Sequence, residues 1–380
     1  MTAVALQIMA TPAAPPPARL VSIDALRGFD MLMIAGAGAV IHQLDGKTGW
    51  PWVNAVAKQF SHPAWFGFTF YDCIFPLFLF LAGVSIPFSL SKAIAQGTPK
   101  TTLYRKAFVR LLILLVLGFL DKNAPIPFFD PHHMRLGSVL GRIGLAGFVS
   151  VVLYLNLSSM KRLGVAGGIL LAYYAALFLI PVPGFGAGNL TFEGNLVGWF
   201  DRTYLPGRLL QGTYDELGLL TQFPAMCLTM FGVFAGEILK GATSSPAAKF
   251  RSLFLAGVIC LALGLLWSLH FPIAKRLWTS SFILVTTGIS FTLLAAFYGI
   301  IDLLNFKRWA FPLVVVGMNS LTIYMVYHFV DFGHTSKLLF SGLYQPLDPK
   351  WHSVLESTGA LLLVWLFLYA LYRRRIFFKA

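Results

Sequence analysis

The chain has 380 residues, of which 57% are hydrophobic and only 12% charged, and its mean hydropathy is +0.73. Soluble domains carry about 25% charged residues, and a single packed core stops growing at roughly 250–300 residues, so these values exclude a single soluble domain. The net charge is +14, but no basic run is interleaved with base-stacking aromatic residues, which argues against nucleic acid as a partner. The sequence predicts an all-α polytopic membrane protein with its Lys and Arg concentrated in cytoplasmic loops.

Residues 1–18 are rich in Ala and Pro and predict a disordered cytoplasmic tail, followed by one transmembrane domain over 19–380. A span needs about 20 mostly apolar residues. About ten segments qualify: 24–42, 68–90, 107–120, 136–156, 163–181, 221–240, 252–270, 281–303, 311–330 and 356–372. With a cytoplasmic N-terminus, 18 of the 29 Lys and Arg fall inside. Both termini are therefore predicted to be cytoplasmic, which agrees with an even number of spans.

Charged residues interrupt the start of the first predicted span at Asp24, Arg27 and Asp30. A charge inside the bilayer is costly, so each is a functional hypothesis by default. Asp24 and Arg27 are three residues apart and are predicted to pair on one helix face. That pair either fixes the helix at the inner surface or leaves Arg27 to bind a cofactor phosphate, and the sequence leaves both interpretations open.

An ionisable pair lies at the edge of the second predicted span. His62 precedes it, Asp72 lies near its start, and Pro76 lies inside it. Considered alone, His62 is a typical loop histidine. Asp72, considered alone, is a typical acid at a helix N-terminus, where it complements the helix dipole. A carboxylate beside an imidazole orients the ring and stabilises its cationic form. The sequence leaves both interpretations open: a pair in which Asp72 orients His62, or two residues with separate local roles.

Two further polar features lie within predicted spans. Arg142 is deep in the fourth span, where a guanidinium needs an anion, either a protein carboxylate or a ligand phosphate, and we favour the ligand. Asn319, Ser320, Tyr324 and His328 form a polar stripe on one helix. This stripe either holds helices together or lines a cavity.

Outside the spans, the outer segment at about 182–220 is long and rich in polar and aromatic residues, which is typical of a lid or a substrate-binding wall. Its candidate substrate-binding residues are Asp201 and Tyr214. The pair His132–His133 resembles half a metal site but has no third ligand at a suitable spacing. We therefore expect no metal cofactor.

Several blocks in one order resemble the heparan-α-glucosaminide N-acetyltransferase family and its bacterial relatives of the DUF5009 type. These blocks are "RLVSIDALRGFDM", "SHPAWFGFTFYDCIFPLFLFLAGVSI", "RLGSVLGRIGL", "FDRTYLPG" with "GTYDELGLL", "FGVFAGEIL", "LWTSSFILVTTGISF", "GMNSLTIYMVYH" and "LYRRRIFFKA". The resemblance covers nearly the whole chain from about residue 20. It implies a membrane-bound acetyltransferase that takes acetyl from cytosolic acetyl-CoA, its co-substrate, and delivers it to the amine of a terminal glucosamine on the far side of the membrane.

The resemblance also assigns roles to residues. His62 in "HPAW" matches the family's catalytic histidine, which is either the base or the acetyl carrier, and Asp72 would orient it. Candidate residues for acetyl-CoA are Arg27, Arg142, Asn319 and Ser320. Candidates for the amino-sugar acceptor are Trp65, Asp201, Tyr214 and His328. A homodimer in a bacterial cytoplasmic membrane, with the active site open to the periplasm, is what the resemblance suggests.

The sequence departs from the family pattern at two positions. Gly38 stands at or near a position where the family has an asparagine, and Phe66 replaces an asparagine after the tryptophan of the histidine block. These departures leave the acceptor open. Two alternatives remain at this point: an O-acyltransferase of a cell-envelope polysaccharide, and a small-solute transporter that binds no acetyl-CoA.

Overall fold

The computed structural model describes residues 20–126, 128–241 and 244–378. This part of the chain is helical, with one isolated β-bridge between Val182 and Gly186, so the predicted all-α class is confirmed. The helices are α1 Val21–Leu32, α2 Gly38–His42, α3 Pro51–Lys58, α4 Ile74–Ala95, α5 Lys100–Asn123, α6 Val139–Asn156, α7 Ser159–Leu179, α8 Leu196–Tyr204, α9 Gln222–Lys240, α10 Pro246–Ser268, α11 Ser280–Phe297, α12 Phe311–Gly317, α13 Ser320–Phe329, α14 Phe332–Tyr344 and α15 His352–Arg373. The predicted tail over 1–18 lies outside the described residues.

Eight helical segments of the described chain are long and apolar enough to cross a membrane. They are Val21–His42, Phe70–Ala95, Val139–Asn156, Ser159–Leu179, Gln222–Lys240, Pro246–Ser268, Ser280–Leu303 and Pro349–Arg373. A ninth is counted if the pair Arg308–Gly317 and Ser320–Tyr327, bent by 60°, crosses as one span. The chain is therefore a polytopic helical membrane protein.

This count differs from the predicted ten at α5, which contains the predicted span 107–120. With 24 residues, α5 is about 36 Å long, enough to cross a bilayer. Between Phe108 and Val116 most side chains are apolar and exposed, but Leu111 and Leu114 are buried and Arg110 is charged. Charged residues occupy both ends of the helix, so α5 has the length of a span without the composition of one.

The first span is not one regular helix. Between α1 and α2 the chain forms a π-helical turn, Met33–Ala37, in which Gly36 has a φ of 131°. Glycine adopts this backbone conformation at little cost because it has no β-carbon. The break separates the part of the span that carries Arg27 from the part that carries Gly38.

Helices pack closely where glycine removes a side chain. A β-carbon added to Gly28 in α1 would lie 1.7 Å from the carbonyl oxygen of Leu313 in α12. One added to Gly83 in α4 would lie 2.0 Å from the carbonyl oxygen of Thr229 in α9. Lipid-embedded helices associate through such close contacts because water does not drive apolar faces together inside a bilayer.

Three connections hold the residues of the candidate site. They are the segment between α3 and α4, the long segment between α7 and α9, and the segment between α10 and α11. Arg135 holds the second of these against the start of α6. Its guanidinium donates to both carboxylate oxygens of Asp215 at 2.7 and 2.8 Å, and both residues are buried. Such a bidentate ion pair fixes orientation as well as distance.

Candidate functional site

His62 and Asp72 are in direct contact. His62 Nδ1 lies 2.6 Å from Asp72 Oδ1. The Asp72 side chain is fully buried, whereas the His62 side chain is 34% exposed. Since a carboxylate only accepts hydrogen bonds, Nδ1 is assigned as the donor, which leaves Nε2 with its lone pair. The expected contact between the two side chains is observed, and the catalytic role of the pair stays a prediction.

The local fold of the chain fixes Asp72. Residues Phe70–Cys73 form a 3₁₀ turn that leads into α4, and Thr69 caps it. The Thr69 backbone N–H and hydroxyl donate to Asp72 Oδ2 at 3.0 and 3.2 Å. Oδ2 of Asp72 therefore accepts the hydrogen bonds of the helix cap, and Oδ1 accepts the hydrogen bond of His62. Pro76 lies in the first turn of α4, where its missing N–H breaks no helical hydrogen bond.

A lysine that the sequence analysis did not select completes the cluster. Lys275 Nζ lies 3.2 Å from His62 Nε2, 3.4 Å from His62 Nδ1 and 3.5 Å from Asp72 Oδ1. Burial lowers the pKa of Lys275, and the nearby charges of Glu216 and Asp72 oppose that shift. The following residue, Arg276, pairs with Glu216. Nothing in the local sequence distinguishes Lys275 from a solvated loop lysine, because its burial depends on long-range packing.

The cluster opens into a narrow cleft beside aromatic side chains. We call it the histidine cleft; its lining residues are His62, Pro63, Trp65, Gly67, Asp72, Lys275 and Arg276. Trp65 Nε1 donates to the carbonyl oxygen of Leu190 at 2.8 Å, and its ring packs edge-on against Tyr214 with centroids 5.5 Å apart. Trp65, which lines the cleft, therefore packs against the long connection between α7 and α9.

Asp201 belongs to this connection and does not line the cleft. It is fully buried and accepts backbone hydrogen bonds from Asp215 at 3.2 Å and Leu219 at 3.0 Å. Burial raises its pKa to about 6, although these two hydrogen bonds act in the opposite direction. The observed contacts of Asp201 hold the connection together. Its predicted role in substrate binding stays a prediction.

A second site lies within the bundle. We call it the bundle cavity; it measures about 290 Å³, and its lining includes Arg27, Phe75, Ser85, Arg110, Ser320 and Tyr324. Arg27 Nη2 donates to the Ser85 hydroxyl at 2.8 Å, and Nη1 lies 3.3 Å from Asp24 Oδ1, which confirms the predicted pairing with Asp24. An adjoining cavity of about 300 Å³ shares Arg110 and adds Lys106. Cationic side chains therefore line an otherwise apolar space.

The bundle cavity extends close to the histidine cleft. Phe75 lines the cavity and follows Asp72 by three residues, about one helical turn. Its ring packs edge-on against Trp278, with centroids 5.4 Å apart. Trp278 in turn follows Lys275 by three residues. This ring contact links the lining of the bundle cavity to the segment that carries Lys275.

The other predicted cofactor residues lie in different places. Arg142 is buried against Trp278, with its Cζ 4.5 Å from the ring centroid. It donates to Thr221 Oγ1 at 2.5 Å and to Gln222 Oε1 at 3.3 Å. Its Nη1 has no hydrogen-bond partner among the described residues. The observed contacts of Arg142 are thus neutral polar groups and a ring, and its contact with a ligand stays a prediction.

The residues of the predicted polar stripe, Asn319, Ser320, Tyr324 and His328, also lie in different surroundings. Ser320 and Tyr324 line the bundle cavity. Asn319 instead binds the C-terminal segment, donating to Ile376 O at 3.1 Å and accepting from the Phe378 N–H at 3.3 Å. Because Phe378 also lines the cavity, Asn319 shapes it indirectly. His328 lies in α13, but its side chain is outside the described part of the structure.

No group of three or more His, Cys, Asp or Glu that could hold a metal ion occurs in the described part of the chain. His133 Nδ1 contacts Asp130 at 2.6 Å, and both side chains are more than half exposed. The three cysteines are free.

These features define an integral membrane protein with a His–Asp–Lys cluster at a cleft and a cationic cavity beside it. Residues 19–124 match the domain described as "Domain of unknown function (DUF5009)". Over 96% of its length, the chain is 26% identical to the human protein named "Heparan-alpha-glucosaminide N-acetyltransferase". Over 95%, it is 24% identical to the mouse protein of the same name. The chain spans about 60% of the length of each of these curated relatives. The family relationship expected from the sequence blocks is confirmed.

Proposed function

We propose that this chain is a membrane-bound acetyltransferase that moves acetyl from acetyl-CoA to the amine of a terminal glucosamine-type sugar. One observation carries the proposal: the His62–Asp72 pair lies about one helical turn from Phe75, which lines a cavity that contains Arg27 and Arg110. The names of the human and mouse relatives support the same reaction class. Arg27, Arg110 and Ser320 would bind the phosphates and polar groups of the donor in the bundle cavity.

The reaction needs a proton acceptor beside the acceptor amine. When the neutral amine attacks the thioester carbonyl, the C–N bond forms, the C–S bond breaks and CoA leaves as a thiolate. The amine nitrogen gives up one proton, and His62 Nε2 is the group we assign to take it. Asp72 holds the ring and stabilises the imidazolium that results.

An acetyl-carrier mechanism uses the same nitrogen. Here His62 Nε2 attacks the thioester carbonyl, the C–S bond breaks and CoA leaves as a thiolate. The neutral amine then attacks the acetyl-imidazole, the bond between the acetyl carbon and Nε2 breaks, and the amine proton passes to the freed Nε2. Incubation of the protein with acetyl-labelled acetyl-CoA and no acceptor separates the two mechanisms. Label on the peptide that contains His62 supports the carrier, whereas release of labelled product only after acceptor is added, with no labelled peptide, supports the base.

The donor and acceptor are assigned to opposite sides of the membrane. Both termini and the Arg27 end of the bundle cavity would face the cytoplasm, and the histidine cleft would face the periplasm of a bacterial cell. Residues 19–380 would act as one transmembrane acetyltransferase domain, and a homodimer is the assembly we assign. The variants Lys58→Cys and Arg308→Cys test the sidedness. When intact cells are treated with an impermeant maleimide, only Lys58→Cys should be labelled.

Donor binding and acceptor screening test the reaction class. Calorimetry should detect acetyl-CoA binding by the purified protein. Acetyl transfer to glucosamine-terminated oligosaccharides would then support the amine acceptor, and transfer only to polysaccharide hydroxyls would replace it with the O-acyltransferase alternative. A protein that binds no acetyl-CoA would overturn the acetyltransferase proposal and favour transport.

A further inference from the structure

Lys275 belongs to a cluster in which three ionisable groups share one small space. Its Nζ lies 3.2 Å from His62 Nε2 and 3.5 Å from Asp72 Oδ1. The His62 ring also stacks on Tyr71, with centroids 5.1 Å apart and an interplanar angle of 24°. The groups that face His62 are therefore one carboxylate, one ammonium and one phenol ring. Arg276 lines the same cleft, and its charge is paired with Glu216.

The carboxylate and the ammonium act on the histidine in opposite directions. A carboxylate at 2.6 Å stabilises the protonated imidazole, so a His–Asp pair alone holds a proton to higher pH. An imidazolium and an ammonium are like charges, and they repel strongly at about 3 Å in a partly dehydrated site. Lys275 therefore disfavours the protonated ring that Asp72 favours. An unprotonated Nε2 can also accept a hydrogen bond from the ammonium.

The fold holds Lys275 in this position. Its side chain is only 17% exposed, so it has little freedom to reach bulk water. The connection that carries it is fixed by Thr279, whose hydroxyl donates to Pro272 O at 3.0 Å and accepts from the Ala274 N–H at 3.1 Å. Asp72 and Glu216 supply the negative charge that keeps an ammonium there. Burial, the fixed loop and the nearby carboxylates together hold the Lys275 ammonium in contact with His62 and Asp72.

We propose that Lys275 is a positioning residue of the acetyl-transfer site: its ammonium keeps His62 unprotonated, and so able to accept a proton or an acetyl group, at pH values where the His–Asp pair alone would be protonated. The proposal rests on the proposed function only in that His62 is taken as the reacting group. It assigns Lys275 no contact with either substrate. Its action is through the charge state of His62.

The protonation of His62 can be measured without any turnover. Diethyl pyrocarbonate modifies unprotonated imidazole, and mass spectrometry of the peptide that contains His62 gives the rate at each pH. The proteins to compare are the native chain, Lys275→Met, Lys275→Arg and the control Lys58→Met. Methionine keeps length and apolar bulk without the charge, and arginine keeps the charge. Lys58 is an exposed lysine at the end of α3, so its replacement removes the same charge outside the cluster.

We expect the pH midpoint of His62 modification to rise by about one unit or more in Lys275→Met, since a charge within a few ångströms shifts a titration by that order. The midpoint should stay near the native value in Lys275→Arg and in Lys58→Met. An unchanged midpoint in Lys275→Met would overturn the proposal. If Lys275→Met does not fold, as judged by its thermal unfolding in detergent, Lys275→Gln replaces it with the same expected shift.

The pH profile of acetyl transfer provides the second readout. In Lys275→Met the acid limb of kcat/KM should move to higher pH by the same amount, with activity recovering at alkaline pH. A loss of activity by the same factor at every pH would show a purely structural role and overturn the proposal. If the native protein transfers no acetyl group at all, the proposed function fails while the modification experiment still decides the role of Lys275.

Discussion

The ring of Tyr71 fills the space that a side chain at position 38 would need. A β-carbon built on Gly38 would lie 2.6 Å from Tyr71 Cε2 and 3.1 Å from Cζ. The same ring stacks on His62. Gly38 therefore determines where Tyr71 lies, and Tyr71 in turn supports one face of the His62 ring. The departure at position 38 thus has a structural counterpart close to His62.

Substitution of Gly38 should disturb His62 through Tyr71. A contact of 2.6 Å forces the aromatic ring to shift, because real β-carbons essentially never approach other heavy atoms so closely. We expect Gly38→Ala to lower kcat for acetyl transfer by about tenfold or more, since small displacements of a catalytic group are costly. The measurement is steady-state kinetics at saturating acetyl-CoA.

A second substitution tests the route of this effect. In Gly38→Ala with Tyr71→Ala, the clash is absent, so the two effects on kcat should be less than additive. Gly147→Ala is the matched control, because a β-carbon there meets nothing within 4 Å; it should leave activity unchanged and favour its helix by about 0.5–1 kcal/mol. Fully additive effects in the double variant would show that Gly38 does not act through Tyr71.

Arg27 and Arg110 should govern donor affinity. Both line the bundle cavity, and removal of a guanidinium that pairs with phosphate costs charge-assisted hydrogen bonds. We expect Arg27→Met and Arg110→Met each to raise the Kd for acetyl-CoA at least about tenfold by calorimetry. Arg105→Met, on α5 but outside the lining of both cavities, should bind like the native protein. An equal loss in all three variants would indicate a general charge effect instead.

Arg142 should matter for stability more than for donor binding. Its guanidinium stacks on Trp278 and binds Thr221 and Gln222, so it ties α6 to the start of α9 and to the segment that follows Lys275. Arg142→Met should lower the thermal unfolding midpoint in detergent while leaving the Kd for acetyl-CoA within about twofold. A normal unfolding midpoint with a much higher Kd would instead support the phosphate-binding role expected from the sequence.

Asp201 should make the protein less stable as pH rises. Its pKa of about 6 in the folded protein lies above the ordinary value near 3.9. The folded state therefore binds a proton that the unfolded state has lost between these pH values. The resulting stability is fully present below about pH 4 and is lost as pH rises through about 6, a change of about 3 kcal/mol at most.

Thermal unfolding at a series of pH values between 5 and 7.5 checks this expectation. The midpoint of the native protein should fall across the range, and Asp201→Asn, which does not titrate, should lack that part of the fall. Asp45→Asn removes an exposed carboxylate and should keep the native profile. An identical fall in Asp201→Asn would assign the pH dependence to other groups.

Contacts in the site could be predicted from the sequence where the two residues are close together in the chain. His62 and Asp72 could be paired from the sequence because both belong to one short segment that leads into a single helix. Asp24 and Arg27 could be paired because they are neighbours on one helix face. In each case the geometry of one element is enough to bring the two side chains together.

Lys275 could not be found in this way. Its contact with His62 joins segments that are distant in the chain, and its loop reads like any solvated connection between spans. Arg142 shows the converse: the sequence predicted an anion as the partner of this guanidinium, whereas its observed partners are neutral. It could not show that Thr221, Gln222 and Trp278 would surround it. Both outcomes depend on how the connections fold back over the bundle.

The most direct test of the proposed function is to measure acetyl transfer by the native protein and by His62→Ala, both purified in detergent. The donor is acetyl-CoA labelled in the acetyl group, and the acceptor is a glucosamine-terminated oligosaccharide. We predict transfer by the native protein and a loss of at least about 100-fold in His62→Ala, with acetyl-CoA binding and the unfolding midpoint retained. Transfer by His62→Ala at the native rate would contradict it.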